Sequence, residues 1–262
     1  MAEPMPDSSH PEQPSELPEQ PGLSPDSSPE LPPDPTPDGS FPYATWGPWV
    51  ALAVTFGALI FGLILSLPFF VTDPGSGSDD LSLTTRIATQ VCTAVGFIVV
   101  PLMLAQLAGG PLRAALRRLG FVRFRIGNTI KWVVIGIVVY LAFLIVYSIV
   151  IGVPEQDDIA SDFGPIWVQI LLIGIAAPIS EEVCFRGMLF GGIRTRLPLW
   201  SASLAAGIVF GVLHYSTGWS AVGPLIALGV IFAVVYEKSG SIWAPIGMHV
   251  LNNGIALVAL NS

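Results

Sequence analysis

Three charged residues stand inside a long apolar run, Ile166 to Ile193: Glu181, Glu182 and Arg186. A charge near the centre of a membrane helix costs about 2.5–3.5 kcal/mol on insertion scales, so three uncompensated charges would cost roughly 8–10 kcal/mol. Spacing offers partial relief. Glu182 and Arg186 are four apart, so they meet on one helix face, with the acid on the favourable N-terminal side. Glu181 points about 100° away and is left without that partner. A carboxylate held alone in a low-dielectric site has the chemistry of a general base. Pro178, three residues upstream, cannot donate a backbone hydrogen bond and is expected to kink the helix; neighbours must then satisfy the freed backbone groups.

Two histidines join the set. His214 ends the run Leu199–Tyr215, with Phe210 four residues before it. His249 lies in the last run, Ile242–Leu260, with Asn253 four residues on and Asn252 three on. The remaining histidine, His10, is far from any such run. Each histidine alone would read as an interhelical hydrogen bond, but two of them following an acidic pair read as a set. At 1.5 Å per residue, Glu181 lies about 20 Å, His249 about 12 Å and His214 about 23 Å from one membrane face. Straight helices would not bring these to one plane, whereas tilted helices could.

The elements that must position them are membrane helices, since a crossing needs about 20 mostly apolar residues. Seven runs qualify: Trp46–Val71, Ile87–Ala108, Ile130–Val153, Ile166–Ile193, Leu199–Tyr215, Ala221–Tyr236 and Ile242–Leu260. The expected fold is therefore all-α, a polytopic membrane helix bundle of about seven spans. An even count follows if one run is re-entrant. Arg113, Arg117, Arg118, Arg123, Arg125 and Lys131 lie between the second and third runs, Arg194 and Arg196 after the fourth, and Lys238 after the sixth. Asp73, Asp79, Asp80, Glu155, Asp157, Asp158 and Asp162 lie on the alternate connections. The positive-inside rule puts the basic connections and the N-terminus in the cytoplasm. Arg86 is the one dissent. The Arg113–Arg125 stretch fixes topology and could also meet anionic lipid.

Composition agrees: 52% of residues are apolar and 11% charged, against about 25% charged in soluble domains. Nine of the 19 acids fall in residues 1–40, and all 11 Lys and Arg follow. Residues 1–42 hold 13 prolines and almost no large apolar side chains, so a disordered acidic tail is expected over 1–44 and a transmembrane domain over 45–262. The tail is not a signal peptide, lacking a basic start and an apolar core. It reads as a spacer or a partner-binding arm of unknown partner. Cys92 and Cys184 both fall within spans and imply no disulfide framework. Nothing points to nucleic acid. The localisation implied is integral, in the plasma membrane of a prokaryote, with the tail cytoplasmic.

In order, Glu181-Glu182-Val-Cys-Phe-Arg186, Phe210-Gly-Val-Leu-His214 and His249-Val-Leu-Asn-Asn253 read E-E-x-x-x-R, F-x-x-x-H and H-x-x-x-N. Over residues 165–260 this resembles the CPBP family: the CAAX prenyl proteases and bacteriocin-processing enzymes, also called the abortive-infection domain. The resemblance implies an intramembrane endopeptidase that hydrolyses a peptide bond of a membrane-associated or lipidated peptide. By it, Glu181 activates a water, His214 shares in positioning or proton transfer, and His249 with Asn253 stabilises the oxyanion. Glu182, Arg186 and Phe210 support them. No cofactor is favoured. Zinc on Glu181, His214 and His249 is the alternative, two His and one Glu being a hydrolase ligand set, although the ligands lie on three helices rather than in H-E-x-x-H. Two other classes compete. A transporter or proton relay also buries carboxylates and histidines, but no inverted repeat is evident. In a non-catalytic scaffold the polar set would be interhelical glue, and deleting the tail would matter more than changing Glu181.

Overall fold

A computed structural model describes residue 1 and residues 41–75, 81–154 and 160–260. The expected tail, apart from its last residues, and Asp79, Asp80, Glu155, Asp157 and Asp158 lie outside the described residues. Among those described, the fold is all-α, with no strand. The helices are α1 (Pro48–Thr72), α2 (Leu83–Leu107), α3 (Leu112–Arg118), α4 (Ile126–Val150), α5 (Ile166–Arg194), α6 (Leu199–Leu213), α7 (Val222–Ser239) and α8 (Trp243–Leu260). Their ends follow from local chemistry. Pro48 opens α1, where its missing N–H costs nothing. Ser82 caps α2 by accepting from the Thr85 N–H. Gly240, left-handed at φ 76°, closes α7 with a bond back to Tyr236 O.

Six helices are long and apolar enough to cross a membrane. The fifth expected run is shorter than its sequence suggests. Its helix, α6, has 15 residues and ends at Leu213, so His214 is its C-cap rather than a residue within the span. At 1.5 Å per residue α6 is about 22 Å long, against a hydrocarbon core of about 30 Å. The backbone continues as short 3₁₀ turns, Tyr215–Thr217 and Trp219–Ala221, before α7. The basic connection after α2 is also not plain loop, because Leu112–Arg118 forms α3.

The centre of the bundle is α5. Every residue from Glu182 to Ile193 is buried, and α5 packs against α1, α2, α6, α7 and α8. By contrast α4 is apolar all round and buries only Gly136, the pattern of a helix facing lipid; it packs on α7 and α8. The α6–α7 crossing is close because Gly207 and Gly229 meet: a Cβ on Gly229 would stand 2.9 Å from Gly207 Cα. Small residues at such crossings let membrane helices approach. Arg194 at the end of α5 forms a two-pronged pair with Glu237 of α7, at 2.7 and 3.1 Å.

Two further contacts tie the ends. Phe41, Tyr43 and Ala44, counted with the tail in the sequence reading, pack on the bundle: Phe41 lies edge-on to Tyr236, Tyr43 donates to Gly240 O at 2.7 Å, and Trp46 Nε1 donates to Met188 O at 3.0 Å. At the α1–α2 joint the Asp73 carboxylate accepts from the Ser82 hydroxyl at 2.6 Å, the Thr85 hydroxyl and the Gly75 N–H at 2.7 Å. The Ser82 and Thr85 bonds hold its carboxyl down at about 2, against a burial effect that raises it. Arg86, the dissenting cation, is matched by Asp162 at 2.6 Å.

Candidate active site

The α5 helix is not regular where its charges sit. Two π-helical stretches, Ile170–Ala176 and Val183–Phe190, flank the turn that carries Glu181 and Glu182. Such wide turns recur at functional sites. The first follows from Pro178. The Ala177 N–H reaches back five residues to Leu172 O, so the next residue would serve Ile173 O; that residue is Pro178, which has no N–H. The Asn253 side chain of α8 fills the gap, Nδ2 donating to Ile173 O at 2.9 Å. Asn252 Nδ2 in turn donates to Asn253 Oδ1 at 3.3 Å, which fixes the Asn253 amide.

Glu181 faces both imidazoles rather than standing alone. Its Oε2 lies 3.6 Å from His214 Nε2 and 3.8 Å from His249 Nε2. The other ring nitrogens are spoken for. His214 Nδ1 lies 2.7 Å from Phe210 O, one turn back on α6. His249 Nδ1 lies 2.9 Å from Glu182 Oε1. A carbonyl or carboxylate oxygen only accepts, so both Nδ1 atoms donate. Both Nε2 atoms then turn to Glu181, which is 15% exposed at the edge of the cavity.

Glu182 and Arg186 form the expected pair, and they are wholly buried. Arg186 Nη1 lies 3.1 Å from Glu182 Oε1, close enough for ion pairing though not aligned as a hydrogen bond, while Nη2 donates to Gly229 O at 3.3 Å. The guanidinium also lies between two rings, 4.5 Å from the Phe210 centroid and 4.9 Å from that of Phe232. Phe210 lies 4.4 Å from the His214 ring and Phe232 lies 4.8 Å from the His249 ring. One buried cation therefore supports the walls behind both histidines. The sequence reading found Glu182 and Arg186 but not the Glu182–His249 bond, which joins α5 to α8. It also missed Phe232, because one phenylalanine in an apolar span carries no signal of its own.

A cavity of about 730 Å³ opens from these groups. Glu181, His214, His249, Asn252 and Asn253 line it, and the rest of its wall is mostly apolar side chains of α2, α4, α5, α7 and α8. Electron pairs of two imidazoles and a carboxylate are the donors zinc takes. Among the described residues, however, no group of three or more His, Cys, Asp or Glu side chains is arranged as a metal site. As they stand the residues do not fit one, and no step below runs through a metal.

Residues 163–255 match the family described as type II CAAX prenyl endopeptidase Rce1-like. A Bacillus subtilis (strain 168) protein named "Putative membrane peptidase YdiL" is 23% identical over 79% of this chain and 86% of its own length. The Staphylococcus aureus (strain USA300) "Membrane-embedded CAAX protease MroQ" is 22% identical over 49% of this chain and 57% of its own length. The Lactococcus lactis "UPF0177 protein YxdF" is 34% identical over 28% of this chain and 40% of its own length. No solved structure matches. The motifs anticipated from the sequence all fall within the matched segment, so the likeness to the Rce1-like CAAX proteases rests on the part of the chain that carries the candidate site.

Proposed function

We propose that this protein is an intramembrane endopeptidase in which Glu181 activates the water that cleaves a peptide bond. The observation that carries the reading is a carboxylate oxygen facing two imidazole Nε2 atoms at the end of an apolar cavity. A contact of 3.6–3.8 Å leaves room for a bridging water. Glu181 takes a proton from that water, and the resulting hydroxyl oxygen bonds to the carbonyl carbon of the scissile peptide. The carbonyl oxygen becomes an oxyanion. Collapse breaks the C–N bond, and the proton held by Glu181 passes to the leaving amine. His214, anchored through Phe210 O, orients the water and shares the proton transfer. His249, held at Nδ1 by the Glu182 carboxylate as a buried carboxylate orients a catalytic histidine, places Nε2 beside the oxyanion. The Asn253 amide has a second N–H besides the one on Ile173 O, and it is available to the oxyanion.

The substrate class is a membrane-associated or lipidated peptide. An apolar cavity within the spans and the names of the relatives support it. The chain works in the plasma membrane of a prokaryote, with the tail and the basic connections in the cytoplasm, as their charge implies. No metal is required in this reading; zinc on Glu181, His214 and His249 is its rival. The test compares membrane and secreted peptides from cells carrying wild-type protein with those from cells carrying Glu181→Gln. Peptides that shorten only with the wild type are expected. Identical peptide profiles, with both proteins inserted at equal levels, would remove Glu181 as the base.

A further inference from the structure

Two polar side chains in the cavity wall have no part in the mechanism above. Gln90 and Thr93 sit on α2, well inside a 25-residue apolar span. Gln90, Thr93, Ala94 and Phe97 share one face of that helix, at the i, i+3, i+4, i+7 spacing, and all four line the cavity. Phe97 fixes where this face meets the site: its ring lies edge-on to Phe185 of α5 at 5.6 Å, four residues from Glu181. Thr93 and Gln90 therefore stand one and two turns from that contact, toward the Leu83 end of α2. Both are half-buried. Neither the Gln90 amide nor the Thr93 hydroxyl makes a hydrogen bond to any described residue, whereas Thr85 and Thr89 on the same helix both do. A primary amide in a membrane span is costly unless something satisfies it.

We propose that Gln90, with Thr93 beside it, binds the main chain of the substrate peptide. This rests on the endopeptidase reading and adds a binding group to it. The chemistry selects the ligand. A glutamine side chain offers one carbonyl acceptor and an N–H donor side by side. In an extended chain the N–H and C=O of one residue point to the same side, so the amide can close two hydrogen bonds with that residue whatever its side chain. An extended peptide inside a bilayer must have its amides satisfied by protein, since no lipid group can do so. A lipid or prenyl chain would gain nothing from either side chain. Gln90 would thus hold the peptide in register while its scissile bond reaches Glu181, and the Thr93 hydroxyl would serve the neighbouring carbonyl.

The test uses the full chain in lipid nanodiscs and the peptides that Glu181→Gln retains on purification from membranes, identified by mass spectrometry. Retained peptides that wild-type protein cuts and Glu181→Gln does not then serve as substrates. Gln90→Met keeps the shape of the side chain and removes both hydrogen-bonding atoms; Gln90→Leu is a second variant in case the first misfolds, with thermal unfolding as the control. The expected result is a KM raised about tenfold with kcat within twofold, since a lost hydrogen bond to substrate is worth about that much. Thr93→Val should raise KM about threefold. Glu181→Gln carrying Gln90→Met should retain several-fold less peptide than Glu181→Gln alone. Unchanged KM and retention would overturn the proposal. So would a fall in kcat at constant KM, which would make Gln90 part of the water supply instead. If Glu181→Gln retains no peptide and the wild type cuts none, the endopeptidase reading itself fails, and the assigned ligand class falls with it.

Discussion

At the residue scale, the site is a chain of charges and rings in which each member fixes the next. Arg186 faces Glu182, Glu182 holds His249, and His249 turns its free nitrogen to Glu181. The parts of this chain legible in the sequence are those that are expensive in a membrane: the acids, the arginine and the histidines. Phe232 and the Ile173 carbonyl were not legible, since one is apolar in an apolar span and the other is a backbone atom exposed by a local change of helix register. The buried pair gives a direct prediction. Glu182→Gln leaves Arg186 as an unmatched buried charge, and removing one partner of such a pair costs about 3–5 kcal/mol. Unfolding in detergent should show that loss. Replacing both, as Glu182→Met with Arg186→Met, should recover much of the stability, because apolar pairs of similar volume substitute well for buried ion pairs. Cleavage should not return with it, since His249 loses its Nδ1 partner. A double variant that cleaves normally would show Glu182 to be structural only. Asn253→Ala should lower stability by about 1–3 kcal/mol, the cost of leaving a buried carbonyl unmet, and thermal unfolding would measure it.

At the element scale, the two departures from regular helix do the positioning. The π-helical turn before Pro178 exists because proline cannot complete the ladder, and it is where α8 attaches to α5. Its place was readable from Pro178, but its form was not, because a kink and a π turn leave the same mark in the sequence. The end of α6 was misjudged for a different reason. The apolar run continues to Tyr215, so hydropathy alone extends the helix past His214, whereas the backbone turns at that residue. The α1–α2 joint supplies a pH prediction. The Asp73 carboxyl is held at about 2, below its ordinary value of 3.8. Its contribution to stability is therefore fully present above about pH 4 and is lost as pH falls toward 2. Asp73→Asn should flatten the acid side of the stability profile in that window while leaving neutral-pH cleavage within about twofold, as pH-dependent unfolding and a peptide assay would report. A profile unchanged by the substitution would remove Asp73 as the clasp of this hairpin.

At the scale of the whole molecule, charge separates two kinds of chain. The acids of residues 1–40 contrast with a body in which few ionisable groups lie within the apolar runs, and that scarcity is why the candidate site residues stand out in the sequence. The bundle itself, all-α with several membrane-length apolar helices, was legible because span length and hydropathy depend on little else; that α4 is left largely uncovered and α5 is buried was not. What helix partners what was not, since close crossings such as Gly207 on Gly229 depend on small residues that recur throughout the chain. Deleting residues 2–40 should leave insertion and cleavage within about twofold, because the anchoring aromatics Phe41, Tyr43 and Trp46 remain and charge screening confines the tail's electrostatic reach. A loss of cleavage with insertion intact would instead give the tail a part in substrate recruitment. The central claim concerns one carboxylate, and the most direct measurement is peptide cleavage by purified protein in liposomes after exhaustive chelation, with residual metal quantified. Wild-type protein should keep its rate, and Glu181→Gln should lose about 10³-fold or more, in the range of a removed general base. Activity that vanishes on chelation and returns with zinc, or a Glu181→Gln variant that cleaves at the wild-type rate, would contradict the account.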